Sequence, residues 1–272
     1  MKIQHQWKGL SGKMKTPLFK STLREIKGSL GRFLSIFFIV TLGVSFFSGI
    51  NASAPDMKAT ADRYFDKYNL MDLQIMSTLG LDEEDIKAIE DIDEVKAVMK
   101  GYSLDAIAVR GNSQSVLRVH GIPLDKSLED DSYINRPRLM EGRLPEKSGE
   151  CVVEEDTFGK DFIKLGDTIK LSLGSDSDIK ESLKTDEYKV VGVVNSPYYS
   201  TYEKGNSNIG SGKISQYIMV PEDDFSLPVY TEANVILKGA KELFTYGEDY
   251  EKLRDDVSKK IEAIGTDRAK LR

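Results

Sequence analysis

Hydrophobic positions are spread unevenly along the chain. From Phe33 to Ile50 there is no charge, and twelve of these eighteen residues are Leu, Ile, Phe or Val. At ~1.5 Å per residue such a helix is about 27 Å long, close to the ~30 Å hydrocarbon thickness of a bilayer. Each of the twelve side chains favours the bilayer centre by roughly 0.3–0.6 kcal/mol, about 4–7 kcal/mol together before Gly, Ser and Thr are counted. The pattern predicts a transmembrane helix over residues 33–53, anchored by Phe33, Ile36, Phe37, Ile39, Val40, Val44 and Phe47.

Upstream, Phe19, Leu23, Ile26, Leu30 and Phe33 recur at alternating spacings of four and three, which is one face of a helix. Lys20, Arg24, Lys27 and Arg32 occupy its other sides. Residues 1–32 therefore read as a polar tail followed by a basic amphipathic helix at the membrane interface. Phe19, Leu23, Ile26 and Leu30 form its apolar side, and Arg24, Lys27 and Arg32 reach toward anionic headgroups.

Charge splits at the same place. Eight basic residues precede Phe33 against the single acid Glu25, whereas the whole chain of 272 residues carries a net −6. The positive-inside rule then puts the N-terminus in the cytosol and everything after about residue 53 outside. An acidic exported part lacks the basic footprint of nucleic-acid binding. A cleavable signal has the same plan, with Ala52-Ser53-Ala54 as its small-residue site. The apolar core exceeds the ~7–15 residues usual for such signals, and Pro55 follows the site directly. Both features favour a retained anchor.

Beyond Ala54 short strand-like and helix-like stretches alternate, the pattern of an α+β fold. Strands are expected at Leu73–Met76, Val95–Val98, Ala106–Val109, Ser115–Gly121 and Glu150–Val153. A helix is expected over Leu81–Asp91, capped by Asp82 and facing inward at Ile86 and Ile89. Asp156 is a candidate cap for a further short helix. Gly166-Asp167 turns into a strand in which Ile169, Leu171 and Leu173 alternate with polar residues. Tyr188–Val194, apolar on both faces apart from Lys189, reads as a central strand, and Gly192 within it predicts a bulge or a close backbone approach. Ser215–Val220 and Ala233–Leu237 complete the set.

Two segments leave alternatives open. The polar run Asn195–Lys213 is either a mobile loop or a candidate partner-binding loop through Tyr198, Tyr199 and Tyr202, because tyrosine supplies contact area at low entropy cost. From about Tyr246 a charged helix carries Tyr250, Val257, Ile264 and Leu271 seven residues apart, with Leu253 and Ile261 beside them. That spacing suits a coiled coil, although Gly265 weakens it, and equally an amphipathic helix packed on a sheet.

Chemistry-bearing motifs are sparse. The one cysteine, Cys151, reads as a buried strand residue, and the two histidines, His5 and His120, fall on opposite sides of the proposed membrane. Neither a zinc cluster nor a Ser/His/Asp triad can be assembled from them, and no phosphate-binding loop of the GxxxxGK[ST] kind is present. We expect no catalytic residue, no metal and no cofactor.

The succession STLREIKGSLGRFLSIFFIVTLGVSFFSGI, EGRLPEKSGECVVEED, LGDTIKLSL and EYKVVGVVNSP resembles the FtsX-like permeases of ABC transporters, and most of all their MacB-like extracytoplasmic core domain. The resemblance implies an α+β exported domain after one membrane helix. A Porter-like subdomain would be built from residues of about 56–110 and 231–272, with a β-rich Sabre-like insert at about 111–230. It also implies a bacterial cell membrane location and a non-enzymatic role, in which a cytosolic ATPase drives changes of shape outside the cell. Expected partners are that ATPase, membrane lipids, a second permease unit or pseudo-dimeric half, and an extracytoplasmic substrate or hydrolase. A membrane-anchored or secreted envelope-binding module, or an envelope enzyme, is the alternative. Such permeases have at least four membrane helices, so further spans and a coiled coil are expected beyond residue 272.

Overall fold

The computed structural model describes residues 16–110, 113–155, 163–174, 178–201 and 203–270. Two units make up the chain, Met1–Lys58 and Ala59–Arg272. In the first, helix α1 (Thr16–Gly28) meets helix α2 (Leu30–Lys67) at Ser29. The Ser29 N–H donates to the Glu25 carbonyl, and the Ser29 carbonyl accepts from the Phe33 N–H.

Hydropathy alone stops the predicted span at residue 53, but α2 continues to Lys67, with Pro55 inside it. The apolar run measures the bilayer, not the helix, and backbone bonding needs no apolar side chain to continue. The helix ends at Asn69, which takes the left-handed conformation (φ 51°). There the Leu70 N–H donates to the Phe65 carbonyl and the Asn69 N–H to the Asp66 carbonyl, the paired bonds of a Schellman cap.

The second unit holds two sheets. The smaller is antiparallel, with β10 (Tyr230–Leu237) between β1 (Leu73–Leu81) and β2 (Val95–Gly101). Helices α3 (Glu83–Glu90) and α4 (Glu248–Ala269) supply its core partners. Ile89, Ile92, Val95, Val235, Leu237, Val257 and Ile261 pack together, with Tyr250, Leu253 and Ile264 against them. The seven-residue spacing along α4 thus serves packing on this sheet; Leu271 lies outside the described residues. Asp82 caps α3 as expected, accepting from the Asp85 N–H while Asp85 accepts from its own. Near the far end of α4, Arg268 binds Asp85, Asp82 (3.2 Å) and Glu84 (3.1 Å) at this same cap.

The larger sheet contains β3 (Ser103–Arg110), β4 (Ser113–Ile122), β5 (Arg138–Gly142), β6 (Glu150–Glu154), β7 (Thr168–Ser172), β8 (Glu187–Asn195) and β9 (Gln216–Pro221). Its order is β5-β8-β6-β9-β4-β3-β7, and β7 pairs again with β8. Six strands therefore close a barrel, to which β5 adds as an edge. The pairs β4–β9 and β6–β8 are parallel and the others antiparallel. Leu117, Val119, Val153, Leu171, Leu183, Tyr188, Ile218 and Val220 are among the residues that fill the interior. Ile169 and Leu171 point inward between exposed neighbours, as their alternation predicts. Cys151 is fully buried, and burial pushes its thiol pKa up. The cap expected at Asp156 lies outside the described residues.

Barrel closure rests on β8, which has β6 on one side and both β7 and β5 on the other. Residues 187–189 pair with β7, and 192–195 with β5. Both anticipated features occur at Gly192. The register against β6 skips Val191, and a Cβ on Gly192 would stand 2.2 Å from the Arg143 carbonyl oxygen. Because the skipped residue reverses the alternation, Tyr188, Val190 and Val193 face the barrel interior. Val191 and Val194 join a second cluster with Val152, Tyr217 and Met219.

Next to this crossing, Arg143 and Glu150 pair through two bonds of 2.7 and 2.6 Å, and the Glu146 N–H also donates to Glu150. The Arg143 guanidinium draws the Glu150 carboxyl down to about 2 in spite of its burial. Downstream, the Asp167 side chain accepts from the Lys164 N–H, and its carbonyl accepts from the Val190 N–H of β8. The GR, GE and LGD residues of the sequence motif thus clasp one crossing of strands.

Gly192→Ala is expected to destabilise the second unit by about 1–3 kcal/mol, since a new methyl group would meet backbone that cannot turn aside; urea unfolding of the full chain in detergent measures this. Glu150 titrates near 4.3 in the unfolded chain and lower when folded. The stability it contributes is complete above about pH 5 and is lost as pH falls toward 2. Arg143→Met should lower the urea midpoint at pH 7, with the deficit shrinking on acidification through that window.

Candidate functional site

The sequence-predicted membrane residues all lie on α2. Phe33, Ile36, Phe37, Ile39, Val40, Val44 and Phe47 are exposed, from 42% at Phe33 to 70% at Phe47. A helix whose apolar side chains have no protein cover is suited to a lipid environment. Arg24, Lys27 and Ile26 lie on α1, with the two cations exposed, while Leu30 and Arg32 already belong to α2. Phe19 and Leu23 are in α1, and their side chains lie outside the description.

In the second unit, the residues just after α2 are fastened to the segment between β4 and β5. Asn69, 1% exposed, donates through Nδ2 to the carbonyls of Asp131 (3.0 Å) and Tyr133 (2.9 Å). In return the Asn135 N–H donates to the Asn69 carbonyl, the Arg136 N–H to the Tyr68 carbonyl, and the Met71 N–H to Asn135 Oδ1. Asn135 is left-handed too (φ 56°). Asparagine tolerates that conformation better than most residues and carries both a donor and an acceptor, so the two asparagines make four of the five bonds that tie the two chain segments.

A second cluster joins the small sheet to the barrel. The Glu232 carboxylate on β10 accepts from Gln74 Nε2 (2.9 Å) and Ser103 Oγ (3.3 Å), and its other oxygen lies 3.6 Å from His120 Nδ1 on β4. His120 Nε2 shares a 2.7 Å bond with the Tyr199 hydroxyl. Burial alone would raise the pKa of Glu232, but His120, Ser103 and Gln74 outweigh it and hold the carboxyl below its usual range. Both imidazole nitrogens face protein oxygens, so the arrangement ties two layers together without presenting a free base or nucleophile.

Tyr198 and Tyr199 belong to this cluster. Tyr199 stacks on Tyr217 at 4.4 Å, and Tyr198 lies edge-on to Tyr199 and bonds Gln74 through its hydroxyl. Both rings are engaged within the molecule, and burial pushes both hydroxyl pKa values up. Tyr202 lies outside the described residues. Sequence reasoning missed Asn69, Gln74, His120, Asn135 and Glu232. The available signal was Glu232 and Asn234 alternating with Ala233, Val235 and Leu237, polar positions that period two assigns to solvent. Among the described residues, no group of three His, Cys, Asp or Glu side chains could hold a metal ion.

Comparison with known proteins gives the family. No curated protein matches the chain at a significant level. Among solved structures, the extracellular domain of the noncanonic ABC-type transporter YknZ from Gram-positive bacteria is similar at 16% identity and a TM-score of 0.35, over 66% of this chain and 85% of that one. The periplasmic region of MacB from Actinobacillus actinomycetemcomitans is similar at 13% identity and a TM-score of 0.36, over 70% and 75% of the respective chains. The family described as the MacB-like periplasmic core domain matches residues 33–259, most of the sequence, from the apolar run of α2 through both sheets into α4. The chain therefore belongs to the family of the MacB-like periplasmic core domain.

Proposed function

We propose that this chain is the N-terminal part of a permease that turns the action of a separate cytosolic ATPase into movement of an extracytoplasmic domain. The N-terminus lies in the cytosol, α2 crosses a bacterial cell membrane, and the residues after about 53 lie outside. The basic residues of α1, Arg24 and Lys27, meet the headgroups on the inner side. The chain itself is not an enzyme. It works beside a second permease unit or pseudo-dimeric half, and the movement acts on a lipid, lipoprotein, antimicrobial peptide or cell-wall hydrolase outside. Tyr202 remains a candidate contact for such a partner.

Within the exported part, the three-stranded sheet with α3 and α4 is the Porter-like subdomain, built from both ends of the segment, and the barrel is the Sabre-like insert. Pairing of β3 with β4 and β7 of the barrel supports a first crossing between them at Tyr102. The second comes near Tyr230, where β10 begins.

The observation that carries this reading is the fastening of residues 68–71. The segment leaving α2 is held by five hydrogen bonds to residues 131–136, with Asn69 almost completely buried. A loose tether would need none of these bonds, whereas a force-bearing connection needs a stiff joint. The location of Ala52-Ser53-Ala54 inside α2 also favours retention, since a helix hides its backbone from a peptidase.

The test is co-purification of the complete permease with its candidate ATPase in nanodiscs, with distances across the exported domain followed by spin labels. The reading predicts association and a nucleotide-dependent distance change; neither occurring would sink it. Asn69→Gly keeps the left-handed backbone but removes both side-chain bonds. It should cost about 1–3 kcal/mol of stability and reduce the nucleotide-dependent change while leaving ATPase association intact.

A further inference from the structure

The two faces of β10 have different surroundings. Ala233, Val235 and Leu237 pack with the residues under α3 and α4, while Glu232 and Asn234 alternate with them and face the barrel. On the barrel side lies a cavity of about 40 Å³, whose wall includes Met99, His120, Tyr133, Met219, Glu232 and Asn234. Asn234 is 2% exposed, and its Oδ1 has no hydrogen-bond partner in the protein. The hydroxyl of Tyr133, another wall residue at 2% exposure, has none either. Buried oxygens are almost always paired, so two orphans on residues lining one cavity call for an occupant.

Chemistry and size limit what that occupant is. The gap of 3.6 Å between His120 Nδ1 and Glu232 Oε1 is too long for a direct hydrogen bond and is of the order that a third polar molecule relieves. His120 and Glu232 are too few to hold a transition metal. One water molecule needs ~10–15 Å³ of such space, so there is room for about two or three. We propose that this cavity is a binding site for two or three structural water molecules, held by Asn234 Oδ1 and the His120–Glu232 pair, which bridge the small sheet and the barrel. The site is independent of any transport role.

Hydroxyl-radical labelling by synchrotron radiolysis, read by mass spectrometry on the full chain in nanodiscs, tests it, because radicals form from bound water beside buried side chains. Met219 (5% exposed) and Tyr133 should be modified several-fold faster than Tyr217, which is 1% exposed and bonds Ser196 and Val194 instead. Asn234→Leu, whose larger side chain fills the cavity, should reduce labelling of Met219 and Tyr133 several-fold. Asn234→Asp retains an oxygen and should preserve it, which guards against a Leu variant that folds poorly. Wild-type labelling no faster than at Tyr217, or labelling unchanged by Asn234→Leu, would overturn the proposal.

Discussion

Strand β8 has to satisfy three neighbours within nine residues, and the barrel exists because it can. The backbone of Arg143 passes so near Gly192 that no side chain fits between them. This single contact lets β5 and β7 share one edge of β8 while β6 occupies the other. The skipped residue Val191 then serves a second purpose. By reversing which side chains point inward, it sends Val193 to the barrel interior and Val194 to the second apolar cluster, so a short segment closes the barrel and also fills the space beside it. The charged pair of Arg143 and Glu150 stands at the same crossing. The pair orients the chain as it turns from β5 toward β6.

Polar groups tie the two sheets together. β10 is central in its own sheet and gives the helices a continuous apolar face, while its other face carries a carboxylate and an amide toward the barrel. Glu232 is anchored from three elements at once, by Gln74 of β1, Ser103 of β3 and His120 of β4. An apolar interface is indifferent to small sliding, but one made of directed bonds has few acceptable positions. The relative position of the two sheets is therefore specified by bond geometry, with the stacked Tyr198, Tyr199 and Tyr217 rings as packing around it.

Much of this was legible in the sequence, and the rest was hidden for identifiable reasons. Local signals gave the Asp82 cap, the inward residues Ile86 and Ile89, the alternation of β7 and the exception at Gly192, because each depends on neighbours a few residues away. A helix over the apolar run 33–50 was legible for the same reason, whereas the helix end at Lys67 was not, since polar residues after Pro55 can be helical or extended. β5 escaped notice because every residue in it is exposed and it shows no alternation. The contacts of Tyr198 with Gln74 and of Tyr199 with His120 could not be read beforehand, because these partners are distant in sequence. Asn69 and Asn135 give no local signal of their partnership; only the fold brings them within reach of one another.

The lone cysteine has a practical consequence. Cys151 sits in β6 with none of its surface accessible and no second thiol to pair with. The domain holds itself together by packing and hydrogen bonds, with no disulfide from Cys151 to hide a loss of structure. The same burial makes the thiol a silent witness: a reagent in the surrounding medium can reach it only when the barrel comes apart. The rate at which that one sulfur is captured therefore counts how often the barrel opens, with no probe added to the chain.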